Sequence, residues 1–314
     1  MAIEIIKRPF GTKLAEMGKE FPNLIWLDSD LQRVTESDDF ARSFPTRYYN
    51  VGVAEANMVS IATGMALSGK IALCGTFANF ITQRACDQVI QCAAYCGANV
   101  KLFGFEAGLS AGGNGASHQS VLDLSIMRST PGMEVFDPGD ALELVGAMDY
   151  MAKSSGPAYL RAPRKSSPVL HNREDYHFLP GKATCMREGN DVTIIASGIM
   201  LPRALIAADL LEGEGINVRL LSMPSIKPLD EEAILKAAEE TGCIVTAENH
   251  SILGGLGSAV SEVVCGSRPV PVIRVGIKDC FGEVGTLDWL SEKFEMDPNS
   301  IKRAALRALE LKHG

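Results

Sequence analysis

The sequence predicts an α/β protein built from two doubly wound domains, and three observations support that expectation. Apolar runs typical of buried strands alternate with segments of helical periodicity along most of the chain, which favours parallel sheets covered by helices. A proline-rich stretch after residue 162 interrupts the alternation once. The 314 residues are enough for two cores. We therefore expect a larger, mostly parallel-sheet domain at 1–165, a linker at 166–190 and a smaller α/β domain at 191–314.

The elements of the first domain follow from its apolar patterns and breakers. A helical pattern ends at Pro22-Asn23, and a second helix opens with Glu55. The helix at 77–95 places Arg84 and Asp87 three residues apart, so we expect them to pair. The predicted helices are 10–20, the helix from Glu55, 77–95, 120–128 and 140–153, and the predicted strands are 24–27, 48–51, 71–74, 100–105, 133–136 and 157–161.

The second domain repeats the same alternation on a smaller scale, without any visible internal repeat. Its predicted strands are 192–196, 218–221, 244–247 and 271–275, and its predicted helices are 202–211, 231–239, 257–264 and 298–311. Four strands and four helices indicate a second sheet with helices on both faces.

Composition and charge narrow the classes of function. A net charge of −8 argues against nucleic acid as the main partner, and no apolar run has membrane-spanning length. The N-terminal residues do not resemble a signal peptide, so we expect a cytoplasmic protein. The eight cysteines form no CxxC pair and the five histidines show no ligand spacing. Free thiols are therefore expected, and no metal site.

Three features of the first domain leave two interpretations open. Glu55 suits the first turn of a helix, where the dipole favours a carboxylate, but it could also be functional. Phe77 and Phe80 could be core residues or a shelf for a ligand. The Gly-rich segment 104–119 indicates either a close backbone approach or a flexible turn. Its glycines do not follow a nucleotide-binding pattern.

Five motifs together resemble the C-terminal half of transketolase, in order and spacing from about Arg8 onward. They are NVGVAEANM (50–58), GTFANF (75–80), GGNGASHQ (112–119), LRAPR (160–164) and AENHSILGGLG (247–257). The length of the chain is similar to that of the split form of this family, in which a separate polypeptide binds the diphosphate. The chain also lacks the family's GDG motif. The resemblance therefore implies that an N-terminal, diphosphate-binding subunit completes each active site.

The resemblance implies thiamine diphosphate as cofactor, with Mg²⁺ (or Ca²⁺) held mainly by the partner subunit. It assigns Glu55 to the aminopyrimidine nitrogen N1′, Phe77 and Phe80 to the pyrimidine pocket, and Asp30 to the cofactor's edge. Glu55 and His118 are the implied catalytic residues. The implied reaction transfers a two-carbon ketol unit from a ketose phosphate to an aldose.

Other residues are assigned to the substrate by the same resemblance. Arg8 and Arg164 match positions that hold the substrate phosphate, which suits a guanidinium fork. His118 matches a residue that contacts the sugar hydroxyls. Gln83 and Arg84 occupy further substrate positions, in a QRAxDQ string similar to deoxyxylulose-phosphate synthase.

The chain also departs from the family pattern at three positions. Glu106 replaces a histidine, Asn114 replaces an acid that contacts a ketose hydroxyl, and Val34 replaces a phosphate-binding serine. Asparagine keeps an acceptor but loses the charge. These changes favour a non-standard donor, such as a branched or modified sugar.

Several alternatives remain open at this point. The two-domain plan also suits the β subunit of a 2-oxo acid dehydrogenase, and QRACDQ suits a deoxyxylulose-phosphate-synthase-like enzyme. A non-catalytic scaffold or regulatory subunit would explain the changes at Glu106 and Asn114, although it would not explain why Glu55 is retained. A flavodoxin-like binding module fits least. For the enzyme we expect self-association with the partner into a heterotetramer, sugar phosphate substrates, and neither nucleic acid nor membrane as partner.

Overall fold

A computed structural model describes residues 3–313 of the protein. The strands are β1 (Ile5–Lys7), β2 (Leu24–Asp28), β3 (Tyr48–Asn50), β4 (Ile71–Phe77), β5 (Val100–Phe105), β6 (Glu134–Phe136), β7 (Ala158–Ala162), β8 (Ser166–Pro168), β9 (Thr184–Arg187), β10 (Val192–Ala196), β11 (Val218–Ser222), β12 (Ser225–Lys227), β13 (Ile244–Ser251) and β14 (Val272–Ile277). The helices are α1 (Pro9–Glu20), α2 (Asp38–Ser43), α3 (Glu55–Leu67), α4 (Cys86–Gln88), α5 (Asp123–Ser129), α6 (Ala141–Lys153), α7 (Leu201–Glu212), α8 (Glu231–Thr241), α9 (Leu256–Ser267), α10 (Leu287–Lys293) and α11 (Pro298–His313).

The larger sheet has seven strands in the order β12-β6-β7-β5-β4-β2-β3, and all are parallel except β12. Both of its faces are buried. In β2, Leu24 and Trp26 point into one core, while Ile25 and Leu27 point into the other. Strands that are buried on both faces have continuous apolar sequences, so their positions could be predicted from the sequence.

One face of this sheet carries α1 and α6, and the other carries α3 together with the helical segment at 80–94. The first face has an aromatic core, in which Phe10 makes edge contacts with Trp26, Phe103 and Phe105 at centroid distances of 5.7, 5.1 and 4.8 Å. Such rings contribute both area and geometric specificity. They hold α1 against the strands whose ends form the site described below.

The second sheet has five strands in the order β14-β13-β10-β11-β9, and only its edge strand β9 is antiparallel. Helices α7 and α11 cover one face, and α8 and α9 cover the other. The core under α8 and α9 continues without a break into the core under α3, since Ile195 and Leu221 belong to the same cluster as Met58 and Val59. The expected fold class, two doubly wound α/β domains, is confirmed.

Several predicted boundaries were wrong for reasons of tertiary structure. Strand β4 continues through Phe77, because β5 pairs with it as far as Phe105, so the helix predicted at 77–95 begins later. That helical segment is not a plain α-helix: π-helical turns at Phe80–Arg84 and Val89–Ala94 flank α4. The predicted linker contains β8, which pairs with β1, and β9.

The second half of the chain also contributes to the first sheet, since β12 pairs with β6 at its edge. This strand, α2 and α10 were not predicted. Among residues 3–313, no helix combines the length and apolar character needed to cross a bilayer.

Candidate active site

The predicted site residues converge on one edge of the larger sheet. Strands β7, β5, β4, β2 and β3 are neighbours and run in the same direction. Their carboxyl ends therefore lie side by side, where open α/β sheets bind ligands. The residues at or shortly after these ends are Arg164, Glu106, Phe77, Asp30 and Glu55.

Glu55 is the first residue of α3 and its side chain is only 1% exposed. Its Oε2 accepts a hydrogen bond from Arg84 Nη1 at 2.9 Å, whereas Oε1 is buried without a partner. Buried carboxylate oxygens are normally hydrogen-bonded. The second oxygen of Glu55 is thus available for a donor that residues 3–313 do not supply.

Arg84 was predicted to pair with Asp87, and this is wrong. It pairs with Glu55, and its guanidinium lies over the ring of Phe80 at 4.0 Å from the centroid. Arg84 ends a π-helical turn, in which side chains do not follow α-helical spacing. The structure therefore places Arg84, predicted as a substrate residue, against the carboxylate of Glu55.

Three rings form an aromatic cluster next to this pair. Phe77, Phe80 and His118 contact each other edge to face, with centroid distances of 5.8, 5.2 and 5.0 Å. Phe77 ends β4 while Phe80 begins the π-helical turn, so they do not share a helix face as their spacing predicted. His118 reaches the cluster from the Gly-rich loop, and its Nδ1 lies 3.0 Å from Ser117 Oγ.

The Gly-rich loop makes a close backbone approach to the second domain of the same chain. Asn249 Oδ1 accepts from the Leu109 N–H, and Asn249 Nδ2 donates to the Ala107 carbonyl, both at 3.0 Å. A Cβ on Gly108 would lie 2.2 Å from the Asn249 carbonyl oxygen, and one on Gly112 would lie 2.3 Å from the oxygen of Gly285. The glycines thus let the second domain hold the loop that carries His118.

A buried ion group lies behind the loop and was missed in the sequence. Arg161 binds Asp123 through two N–H groups at 2.6 and 2.7 Å and lies 3.4 Å from Asp137. Burial raises the pKa of Asp123, but the Arg161 charge and hydrogen bonds outweigh it, so that pKa is lowered. Arg161 Nη1 also donates to the Asn249 carbonyl at 3.2 Å. The group therefore joins the two domains.

Arg164 and Glu106 form an ion pair at 2.9 Å. Both line a cavity of about 260 Å³ at the domain boundary, together with Ser166 and Asn249. Arg8 lines a neighbouring, larger cavity that also contains Ser166.

Arg8 is bound within the chain as well, by Asp38 and by the Glu36 carbonyl at 3.3 Å. The two arginines assigned to one substrate phosphate thus lie near each other, but each already contacts a carboxylate. Val34, the third position of that predicted site, is buried in the core.

The remaining predicted residues lie at the surface. Asp30 is exposed, and its Oδ1 accepts from Asn50 Nδ2 at 3.0 Å. Asn114 and Gln83 are also exposed, and their side chains make no hydrogen bond to the residues that the structure describes. Within residues 3–313 there is no group of three or more His, Cys, Asp or Glu side chains that could hold a metal ion.

Comparison with known proteins identifies the family. The transketolase pyrimidine-binding domain model matches residues 7–169, and the transketolase C-terminal domain model matches residues 181–301. The chain belongs to the transketolase family. The expected family, the C-terminal subunit of a split transketolase, is confirmed by the relatives below. The enzymes of this family use thiamine diphosphate.

Two relatives match over nearly their whole length. The 6-deoxy-6-sulfo-D-fructose transketolase subunit of Clostridium sp. (strain MSTE9) is 44% identical over 96% of this chain and 93% of its own. One of the apulose-4-phosphate transketolase subunits, from Phocaeicola vulgatus, is 36% identical over 96% of both chains. A solved split-gene transketolase, an inactive β4 tetramer, is 42% identical with a TM-score of 0.88 over 97% of both chains.

Proposed function

We propose that this chain forms the pyrimidine-binding half of a cytoplasmic, thiamine-diphosphate-dependent transketolase that acts on a modified ketose. In this proposal residues 1–165 bind the pyrimidine, 166–190 link the domains and 191–314 form the C-terminal domain. An N-terminal subunit supplies the diphosphate site and most of the contacts to Mg²⁺, and the two chains assemble as a heterotetramer. The observation that supports the proposal most strongly is the unpartnered, buried Oε1 of Glu55.

The residues around Glu55 fit the aminopyrimidine of the cofactor. Oε1 would share a proton with N1′, while the Arg84 bond fixes the other oxygen and so the orientation of the carboxyl group. Phe77 and Phe80 would exclude water from the ring and line its pocket. When bound, thiamine diphosphate supplies the group that stabilises negative charge on the transferred carbon unit.

His118 would act on the substrate rather than on the cofactor. It lies at the end of the Gly-rich loop, its ring packs on the aromatic cluster, and its Nδ1 contacts Ser117. An imidazole there would hold or move a proton at a sugar hydroxyl. The loop that carries it depends on Asn249 of the second domain.

The donor sugar is proposed to be a modified ketose on two grounds. The relatives named above act on 6-deoxy-6-sulfo-D-fructose and apulose 4-phosphate, by their names. In addition, Glu106 and Asn114 differ from the residues usual in the family, and the structure places Glu106 on Arg164. A donor with an unusual head group or branching would suit both observations.

Exposed apolar side chains support the need for a partner. Val53 is 70% exposed two residues before Glu55, and Phe281 and Val284 are 80% and 68% exposed beside the Gly-rich loop. Apolar groups at the rim of a site are typical of subunit interfaces. We expect the chain alone to self-associate and to be inactive, as the solved β4 tetramer is described to be.

The test is a calorimetric titration of thiamine diphosphate with Mg²⁺, first into this chain alone and then into its complex with the N-terminal subunit. We expect tight binding in the complex only, and loss of turnover in the Glu55→Ala complex. Glu231→Ala is the matched control, because Glu231 also begins a helix but is exposed. Tight binding by the chain alone would contradict the proposed diphosphate site. Full activity of Glu55→Ala would contradict the assignment of Glu55.

A further inference from the structure

Glu106, which replaces a histidine of the family, lies beside one of the two arginines assigned to the substrate phosphate. It follows β5 and Arg164 follows β7, and these strands are adjacent in the sheet. Their side chains meet at 2.9 Å, with Glu106 12% and Arg164 31% exposed. The carboxylate of Glu106 therefore pairs with an arginine that lines a cavity. In the proposed function, this end of the site holds the anionic group of the substrate.

The backbone around this ion pair is strained in a way that fixes its geometry. Glu106 has φ 53° and Lys165, next to Arg164, has φ 70°. Left-handed backbone at residues other than glycine is unfavourable and persists where the surroundings enforce it. Here the Lys165 N–H donates to Glu36 Oε1 at 2.7 Å, and its carbonyl accepts from the Arg8 N–H at 2.6 Å. The pair is thus built into the fold.

The charged side chains of the cavity wall are already paired within the chain. Its wall contains two arginines, Arg161 and Arg164, and two carboxylates, Glu106 and Asp137. Arg161 is occupied by Asp123 and Asp137. Arg164 gives one N–H group to Glu106, and its buried Nε has no partner. A ligand oxygen can therefore bind Arg164, but only with the Glu106 carboxylate close by.

The Glu106 carboxylate repels a bound anion in proportion to the anion's negative charge. A phosphate ester is mostly a dianion at neutral pH, because its second pKa is about 6, whereas a sulfonate carries a single charge. At about 5 Å and an effective dielectric constant of about 20, the carboxylate weakens binding on the order of 100-fold for each ligand charge relative to the same site without it, and so offsets the attraction of Arg164. Solvent screening reduces this factor, and on the order of tenfold is a conservative expectation.

We propose that Glu106 is a charge filter on Arg164 that makes the enzyme select a ketose with a monoanionic, sulfonate-type head group over one with a phosphate dianion. The inference rests on the proposed function and specifies the substrate class of the same site. Arg8 supports the inference, because its guanidinium also forms ion pairs with carboxylates, those of Asp38 and Asp39. Both arginines that the resemblance assigned to the substrate phosphate therefore already pair with carboxylates.

The test compares two donors that share one sugar, 6-deoxy-6-sulfofructose and fructose 6-phosphate, with the complex of this chain and its N-terminal subunit. We expect wild type to have at least a tenfold higher kcat/KM for the sulfonate. In Glu106→Gln the ratio of kcat/KM for the sulfonate to kcat/KM for the phosphate should fall at least tenfold, mainly through a lower KM for the phosphate donor. Glu106→Asp, which keeps the charge, should retain a preference for the sulfonate. An unchanged ratio in Glu106→Gln, or a wild-type preference for the phosphate, would overturn the inference.

A binding measurement decides the question without turnover. Calorimetry on the same complex gives the Kd values of 2,3-dihydroxypropane-1-sulfonate and glycerol 3-phosphate, which share the diol and differ in head group. We expect a sulfonate preference that disappears in Glu106→Gln. If wild type turns over neither donor but binds the sulfonate more tightly, and Glu106→Gln does not, the proposed reaction is refuted and the role of Glu106 is supported. If both donors react but neither ratio responds to Glu106, the proposed function stands and the charge filter is refuted.

Discussion

Removal of the Asn249 side chain should destabilise the protein and loosen the loop that carries His118. The side chain is 3% exposed and joins β13 to the Leu109 N–H and the Ala107 carbonyl. In Asn249→Ala the Leu109 N–H stays buried without that partner, whereas the Ala107 carbonyl still accepts from the Ser110 N–H at 3.2 Å. One unsatisfied buried group costs about 1–3 kcal/mol, so we expect the free energy of unfolding to fall by about that amount.

The assay is urea unfolding of the variant, combined with hydrogen exchange at the Leu109 amide. Asn217→Ala is the control, since Asn217 is exposed and its side chain makes no hydrogen bond to the described residues; its effect should stay within about 0.5 kcal/mol. In the complex, Asn249→Ala should lower kcat/KM but leave cofactor affinity within about twofold, because Glu55 and Arg84 are not touched. A loss below about 0.5 kcal/mol with unchanged exchange at Leu109 would refute the reasoning.

Three further predictions concern other contacts. Arg84→Met should weaken thiamine diphosphate binding at least tenfold in calorimetry of the complex, because it leaves Glu55 Oε2 unpaired in a buried site. Arg84→Lys should recover part of this affinity. An affinity of Arg84→Met equal to that of wild type would contradict a positioning role for Arg84. Burial raises the pKa of Glu143 to about 7. The stability that protonated Glu143 contributes is therefore lost as pH rises from its unfolded pKa of about 4.3 through 7. In urea unfolding, the free energy of unfolding of wild type should fall by up to about 3 kcal/mol relative to Glu143→Gln between pH 5 and 8, and parallel pH profiles of the two proteins would exclude this. Gly104→Ala should lower the free energy of unfolding by about 1–3 kcal/mol in the same assay, because its Cβ would lie 2.3 Å from the Tyr159 hydroxyl; a neutral effect would mean that Tyr159 moves freely.

The strands of the larger sheet could be predicted from the sequence because helices cover both faces of that sheet. All five residues of β2 and all six of β5 are buried, so their apolar character shows directly in the sequence. Elements whose existence depends on a distant partner were missed or misjudged. Strand β12 forms only because β6 is available at the sheet edge, and β4 extends to Phe77 only because β5 accompanies it.

The residue types of the candidate site were visible in the sequence, but its contacts were not. The position of Glu55 at a helix start and the glycines of the loop could be read from local patterns. The resemblance to transketolase then selected residues from those patterns. No local pattern pointed to Arg161, Asp123 or Asn249, although Arg161 and Asn249 lie in motifs quoted for the resemblance. Their roles appear only once the second domain packs on the first.

By itself, the sequence determined the family, the two-domain α/β plan and the chemical groups present at the site. The tertiary structure decided which groups meet. Arg84 binds Glu55 across 29 residues of sequence, and Arg164 binds Glu106 across 58. The physical reason is that helical spacing relates residues three or four apart, whereas a parallel sheet brings together strand ends that are separated by whole helices.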